Sequence, residues 1–154
     1  MPPLQALWQT RLSALSIRPA PTLTPTSPLR DAIAALRTSP TGCVLAAHGP
    51  QLKGILTERD YLQRILLHER APTTTLADVM TPDPLTLEID ETVAHAVELM
   101  VTRKVRHLPV TSRGLVRGVI YGKDIIEFIA QQYPAEVMNL PPDSRPHIEV
   151  QDGG

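Results

Sequence analysis

The residues with the clearest chemical potential in this chain are a hydroxyl and a carboxylate three positions apart, Thr57 and Asp60, with Arg59 between them. They follow an apolar run and precede apolar residues at helical spacing, which predicts a strand that turns into a helix at Thr57. The spacing suits a capping box, in which Thr57 and Asp60 close the first turn of the helix. The same corner leaves free backbone N–H groups, where anionic ligands are commonly held.

Each of these side chains therefore has two interpretations. As structural groups, Thr57 is a cap, Asp60 is a first-turn carboxylate favoured by the helix dipole, and Arg59 is a solvated charge. As ligand groups, Asp60 accepts hydrogen bonds from both hydroxyls of a ribose, Thr57 contacts phosphate or ribose, and Arg59 forms charge-assisted bonds to phosphate. The corner by itself favours the structural interpretation, because a motif this short carries a high risk of a false match. Arg64, one helical turn further on, is expected to form a weak surface ion pair with Asp60.

The corner recurs later in the chain. Residues 54–60, GILTERD, and residues 118–124, GVIYGKD, follow the same pattern position by position. The alignment that pairs these two segments continues without a gap and pairs apolar positions in the two halves: Leu29 with Val93, Ile33 with Val97, Leu36 with Met100 and Ile65 with Ile129. Internal repeats take precedence over other fold signals, so the chain is predicted to contain two copies of one unit.

The second corner differs from the first at the hydroxyl. Tyr121 stands in the position of Thr57, and Lys123 in that of Arg59, whereas the carboxylate is retained as Asp124. For this corner, a packed or capping role without a ligand is at least as well supported as a binding role.

A further basic pair, Arg106 and His107, immediately precedes an apolar strand. It is either a solvated strand end or a source of positive charge for an anionic ligand. The matching positions of the first half, Gly42 and Cys43, are uncharged. Any phosphate charge supplied from these positions would therefore come from the second unit.

The elements that must position these residues follow from hydrophobic periodicity. Each unit is predicted to run strand, helix, strand, strand, helix, which is an α+β arrangement. In the first unit, the first helix is predicted to begin at Ser27-Pro28, as N-cap and first helical residue. In the second unit, the corresponding helix is predicted to have Asp90 as its N-cap. The predicted strands are 22–24, 43–47 and 52–56, then 86–89, 107–110 and 115–120, and the closing helices run to about 69 and over 122–132.

The flanks of the two units have their own patterns. Leu4, Leu7, Trp8, Leu12 and Leu15 form one apolar face at helical spacing, which predicts a helix packed on its own chain or on a second copy. Prolines and a terminal Gly-Gly predict an extended or disordered tail, in which a short edge strand at 147–150 remains open. The predicted organisation is 1–12 for the N-terminal helix, 13–70 for the first unit, 71–133 for the second and 134–154 for the tail.

Composition excludes several classes of function. The net charge is −1, from 15 basic and 16 acidic residues, and aromatics make up 3%, which argues against a nucleic-acid partner. A single cysteine excludes an internal disulfide and a multi-cysteine zinc site. Neither a membrane span nor a signal peptide is recognisable, so a cytoplasmic protein without a membrane partner is expected. No P-loop, nucleophile elbow or dinucleotide fingerprint is present, and the histidines lack metal-ligand spacing, so no enzyme or metal site is predicted.

The gapless duplication and its paired corners resemble a tandem pair of CBS domains, also called a Bateman module. Two flanking segments support the resemblance, residues 78–82, DVMTP, and residues 106–110, RHLPV. The resemblance covers residues 13–132. It implies two pseudo-two-fold units with a ligand cleft between them, an adenosyl ligand such as AMP, ADP or ATP with no obligatory cofactor, and two chains stacked as a homodimer.

The resemblance also reverses the preference at the first corner, since the matching aspartate of CBS pairs typically holds ribose. It implies that basic residues at the positions of Arg106 and His107 face the phosphates across the cleft. The candidate ligand-binding residues are Thr57, Arg59, Asp60, Arg106, His107 and Asp124. One strong site per chain is expected, at the first corner, in a regulator of an unnamed partner protein. The alternatives are a ligand-free structural or dimerising module and, more distantly, an enzyme.

Overall fold

A computed structural model describes residues 3–132 of the chain, with side chains from residue 5 onward. The predicted tail and its possible edge strand lie outside the described residues. The elements in chain order are α1 (Pro3–Gln9), β1 (Thr22–Leu23), α2 (Leu29–Thr38), β2 (Cys43–His48), β3 (Gln51–Thr57), α3 (Glu58–Asp60), α4 (Leu76–Val79), β4 (Thr81–Pro82), β5 (Leu87–Glu88), α5 (Val93–Thr102), β6 (His107–Ser112), β7 (Leu115–Tyr121) and α6 (Gly122–Gln132). A 3-10 turn, Leu12–Ala14, follows α1, and a π-helical stretch, Tyr61–Leu66, continues α3.

These elements form two sheets with helices packed on them, as the α+β prediction requires. One sheet has the strand order β1-β2-β3-β4 and the other has the order β5-β6-β7. In each sheet a short lead strand pairs in parallel with the first strand of an antiparallel hairpin. The pairing shifts register between Ala46 and Ala47, and again at the matching point of the second unit, between Val110 and Thr111. The duplication therefore extends to the position of the β-bulge.

Each unit is completed by a short segment from the start of the other unit. Leu12 and Leu15, at the start of the first repeat, are buried in the core of the second unit with Val93, Leu108 and others. Conversely, Leu76, at the start of the second repeat, is buried in the core of the first. Leu12 and Leu76 occupy matching positions of the repeat, and both are fully buried. Each core is therefore completed by a segment from the other side of the repeat.

Backbone hydrogen bonds hold both segments in place. The N–H of Leu12 donates to the carbonyl of Glu91 at 2.8 Å, and the N–H of Leu76 donates to the carbonyl of Ser27 at 2.9 Å. β4 extends the first sheet by pairing with β3, an addition that periodicity did not predict.

The two sheets meet through a small apolar cluster. Cys43, Leu45 and Ile55 of the first unit pack against Val119 of the second, and all four are buried. Burial raises the pKa of the Cys43 thiol, so the side chain is a neutral packing group at pH 7. β3 and β7 both contribute to this cluster. The two corners, which follow the carboxyl ends of these strands, are therefore joined through one packed interface.

Four local predictions were wrong. The first closing helix, predicted to run to about 69, ends at Leu66 in its π-helical stretch. The N-terminal helix, predicted over 1–12, ends at Gln9, since the chain turns there to place Leu12 in the second core. α2 begins one residue later than Ser27-Pro28 implied, with Pro28 as its N-cap. α5 is capped by Thr92, whose hydroxyl accepts from the N–H of His95, and not by Asp90.

The helices are short in comparison with a bilayer, whose hydrocarbon core takes about 20 mostly apolar helical residues to span. Over residues 3–132, none has both the length and the apolar character needed to cross a membrane.

Candidate functional site

The first corner forms the capping box that its spacing predicted. The N–H of Thr57 donates to Oδ2 of Asp60 at 3.0 Å, and the N–H of Asp60 donates to Oγ1 of Thr57 at 3.3 Å. Asp60 is buried, with 8% of its surface exposed. Its other oxygen, Oδ1, faces Nη2 of Arg64 at 3.7 Å, which confirms the predicted ion pair. This distance is too long for a good hydrogen bond, so Oδ1 keeps accepting capacity.

The second corner has the same backbone bond but a different partner for its free oxygen. The N–H of Tyr121 donates to Oδ2 of Asp124 at 2.9 Å. Oδ1 of Asp124 lies 2.6 Å from Nε of Arg18, which also contacts Glu127 at 3.2 Å. Arg18 was not predicted as a site residue, because it lies in the segment before β1, far from Asp124 in the sequence. The two buried aspartates therefore occupy equivalent positions, but only Asp60 has a carboxylate oxygen that no close cation holds.

His107 lies between the two units. Its ring stacks on Tyr121 with centroids 4.8 Å apart and an angle of 22° between the planes. Its Nε2–H donates to the carbonyl oxygen of Thr41 in the first unit. Burial lowers the pKa of His107, and this outweighs the opposing effects of the Thr41 carbonyl and of the nearby carboxylates of Glu58 and Asp60. The ring is therefore neutral at pH 7 and acts as a hydrogen-bond donor.

The candidate residues are only partly brought together. His107 is close enough to Asp60 for the carboxylate to affect its pKa, so these groups from different units share one region. The side chains of Arg59 and Arg106 are exposed, and Arg106 lies near His107. Asp124 belongs to the other corner, where Arg18 contacts it.

Glu58 is a further charged residue of the first corner, which sequence reasoning did not single out. Its N–H donates to the carbonyl of Gly42 at 3.2 Å, and its carboxylate lies over the same residue. Gly42 has φ +73, and a Cβ there would lie 2.9 Å from Oε1 of Glu58, so glycine suits both the backbone and the space. Glu58 adds a negative charge beside His107, which an anionic ligand at this corner has to tolerate.

An open groove of about 420 Å³ lies beside the second corner. Its lining includes Ser16, Arg18, Asp124 and Phe128. At the first corner the position that matches Ser16 in the repeat is Met80, whose side chain packs on Gly54. The carboxylate without a close cation, Asp60, thus lies at the first corner, whereas the groove lies at the second. Among the described residues, His, Cys, Asp and Glu side chains form no cluster able to hold a metal ion.

The fold and the two corners together define a class of protein: a duplicated α+β module with a buried aspartate at each of two equivalent strand-to-helix corners. The sequence profile of the CBS domain matches residues 12–67 and again residues 76–131. The chain belongs to the CBS domain family, and its two matches form a tandem pair.

Similar proteins agree with this assignment. The chain is 30% identical over 92 residues to the mitochondrial CBS domain-containing protein CBSX3 of Arabidopsis thaliana, covering 58% of this chain and 45% of that protein. It therefore spans less than half the length of that relative.

Two solved structures share the fold. A CBS domain protein of Pyrobaculum aerophilum in complex with AMP superposes with a TM-score of 0.69 at 23% identity, covering 79% of this chain and 99% of that one. CBSX2 in complex with AMP gives a TM-score of 0.68 at 18% identity, covering 79% and 97%.

Proposed function

We propose that this chain is a regulatory module that binds an adenine mononucleotide or a related adenosyl ligand and modulates a partner protein. The observation that carries the proposal is the buried carboxylate of Asp60, which has one oxygen fixed by the capping box and one that retains accepting capacity. A buried carboxylate is well placed to accept two hydroxyl donors from a ribose. The AMP complexes of two CBS structures of the same fold support this class of ligand.

In this proposal the first corner supplies most of the contacts. Asp60 accepts from the ribose, Thr57 contacts ribose or phosphate, and the exposed Arg59 adds charge toward phosphate. From the second unit, Arg106 supplies positive charge, and His107 supplies a neutral donor because its pKa is lowered by burial. Asp124 is a secondary site residue, since Arg18 already holds it.

One observation favours the alternative of a ligand-free structural module. His107 already donates to the carbonyl of Thr41, and Asp60 already accepts from Thr57, so both groups have partners within the chain. Under this alternative the corners serve only to cap helices and join the units. Catalysis is not part of either proposal, since both matched domains are CBS domains.

A thermal-shift series with AMP, ADP, ATP and adenosine separates the two functions. A ligand that binds only the folded chain stabilises it by about 2.7 kcal/mol at a concentration 100 times its Kd. We expect at least one adenosyl ligand to raise the melting temperature, with GMP as the matched control for the base. The absence of a shift with every adenosyl ligand would favour the structural module.

We also expect a homodimer, and the exposed apolar residues support this assembly. Leu62 and Ile126 occupy matching positions on the helices that follow the two corners and are 56% and 67% exposed, and Leu66 beside them is 58% exposed. Burial of such residues against a second copy is favourable at roughly 25 cal/mol per Å² of apolar surface. Light scattering should give a mass near twice the 16.9 kDa of one chain.

The assembly has a direct test by substitution. Leu62→Asp with Ile126→Asp should shift the scattering mass toward that of one chain, because two charges would enter the interface. Leu115→Asp is the matched control, since Leu115 is also exposed, at 49%, but lies on the β6–β7 hairpin. A wild-type mass of one chain at tens of micromolar would count against the dimer.

The chain is expected not to bind DNA or RNA. Its net charge of −1 provides no broad positive field, and the phosphate backbone dominates nucleic-acid affinity. Fluorescence anisotropy with labelled single-stranded RNA at low salt should show no saturable change. Tight, salt-sensitive binding would overturn this expectation.

A further inference from the structure

We propose that Arg18 is an internal occupant of the second corner, which holds Asp124 and keeps the adjacent groove from binding an adenosyl ligand. The proposal rests on the proposed function, because the ligand excluded is the one assigned to the first corner. It identifies the residue that makes the two corners of the pair unequal.

The contact between Arg18 and Asp124 is close and joins a partly exposed guanidinium to a buried carboxylate. Nε of Arg18 lies 2.6 Å from Oδ1 of Asp124, whose side chain is 4% exposed. The same guanidinium reaches Glu127 at 3.2 Å, so one cation satisfies two carboxylates. Charge-assisted hydrogen bonds of this kind are about twice as strong as neutral ones. A ribose hydroxyl is a neutral donor and would have to displace Arg18 from the same oxygen.

The backbone of Arg18 is also fixed. Its N–H donates to the carbonyl of Val119 at 3.2 Å, and its carbonyl accepts from the N–H of Val119 at 2.9 Å. Gly118 permits this approach, because a Cβ there would lie 2.5 Å from the carbonyl oxygen of Arg18. The side chain therefore starts from a fixed point beside the corner, so holding Asp124 requires ordering the side chain only.

The first corner lacks this arrangement. The position that matches Arg18 in the repeat is Pro82, which carries no charge. Asp60 has only Arg64 nearby, at 3.7 Å, and the guanidinium of Arg64 donates instead to the carbonyl of Val79 at 3.1 Å. The free oxygen of Asp124 is therefore held by a residue, Arg18, that has no charged counterpart at the first corner.

The groove beside Asp124 is large enough for a small ligand, and Arg18 is part of its lining. Its volume of about 420 Å³ falls within the roughly 300–1,000 Å³ usual for small-molecule sites. Besides Arg18 and Asp124, its lining includes the small residues Ala14 and Ser16 and the aromatic Phe128. Arg18 lines this groove and contacts Asp124, so releasing Arg18 would free the carboxylate beside it.

Calorimetric titration of the full chain with AMP tests the proposal. Arg18→Met keeps much of the side-chain volume but cannot donate, and it should add a second AMP per chain or tighten the weaker site by about ten-fold or more, the equivalent of one hydrogen bond to a charged group. In the Arg18→Lys variant, which keeps a cation, the second corner should still bind no AMP. Asp124→Asn placed in the Arg18→Met chain should remove the added site. Arg113→Met, at an exposed arginine in the β6–β7 turn, at the opposite end of β7 from Tyr121, is the matched control.

The outcomes separate this proposal from the proposed function. If Arg18→Met is folded, as judged by its melting curve, and binds one AMP like the wild type, Arg18 is not an occupant and the proposed function stands. If neither protein binds AMP, ADP, ATP or adenosine, both proposals fail. If only Arg18→Met binds, and Asp124→Asn abolishes that binding, the occupant role holds and the first-corner site is wrong. Should Arg18→Met not fold, Arg18→Leu, which also lacks a donor, carries the same test.

Discussion

Replacement of Asp60 by alanine is expected to abolish tight binding of an adenine nucleotide. Both ribose hydroxyls would lose their acceptor, and a lost hydrogen bond to a charged group costs roughly 1.5–3 kcal/mol. Each such bond corresponds to about ten-fold or more in affinity. Calorimetry with AMP on the wild type and the Asp60→Ala variant measures the loss. A melting curve is needed beside it, because the substitution also removes half of the capping box.

Asp124→Ala is the matched control for this experiment. It removes the equivalent carboxylate, with the same backbone bond, from the corner where Arg18 already occupies the free oxygen. Most of the wild-type affinity should remain. A larger loss from Asp124→Ala than from Asp60→Ala would assign the site to the second corner, where the open groove lies. Two equal sites per chain would likewise contradict the assignment.

Leu12→Ala is expected to destabilise the chain by about 2–5 kcal/mol through the core of the second unit, although Leu12 stands at the start of the first repeat in the sequence. The residue is fully buried in the core of the second unit, and truncation removes its contacts and leaves a cavity. Leu76→Ala should cost a similar amount through the core of the first unit. Urea denaturation measures both changes, and Leu67→Ala, at a residue 75% exposed, should stay within about 0.5 kcal/mol of the wild type.

Amide hydrogen exchange can show whether each leucine stabilises the other unit in particular or the whole chain in general. With Leu12→Ala, amides of β6 and β7 should lose protection before those of β2 and β3, and with Leu76→Ala the order should reverse. If Leu12→Ala changed stability by less than about 0.5 kcal/mol, the packing of Leu12 on the second unit would be wrong.

The sequence determined the features that depend on residues close together in the chain. The match between GILTERD and GVIYGKD, continued without a gap on both sides, predicted the duplication, because repeated units share one hydrophobic pattern. The spacing of Thr57 and Asp60 predicted the capping box, because both members lie within one helical turn. The closing helix of the second unit was predicted with its observed bounds, Gly122–Gln132, since its apolar stripe is regular.

Tertiary structure alone decided the features that depend on distant segments. Nothing in the local pattern around Leu12 distinguishes packing on the nearby first unit from packing on the second, because an apolar residue carries no information about its partner. The same holds for Arg18, which reaches Asp124 only because its backbone pairs with Val119. Glu58 acquires its place beside His107 in the same way, when the two sheets meet. The inequality of the two corners is therefore a property of how the units are joined, since a carboxylate's availability depends on every group that the fold brings within reach.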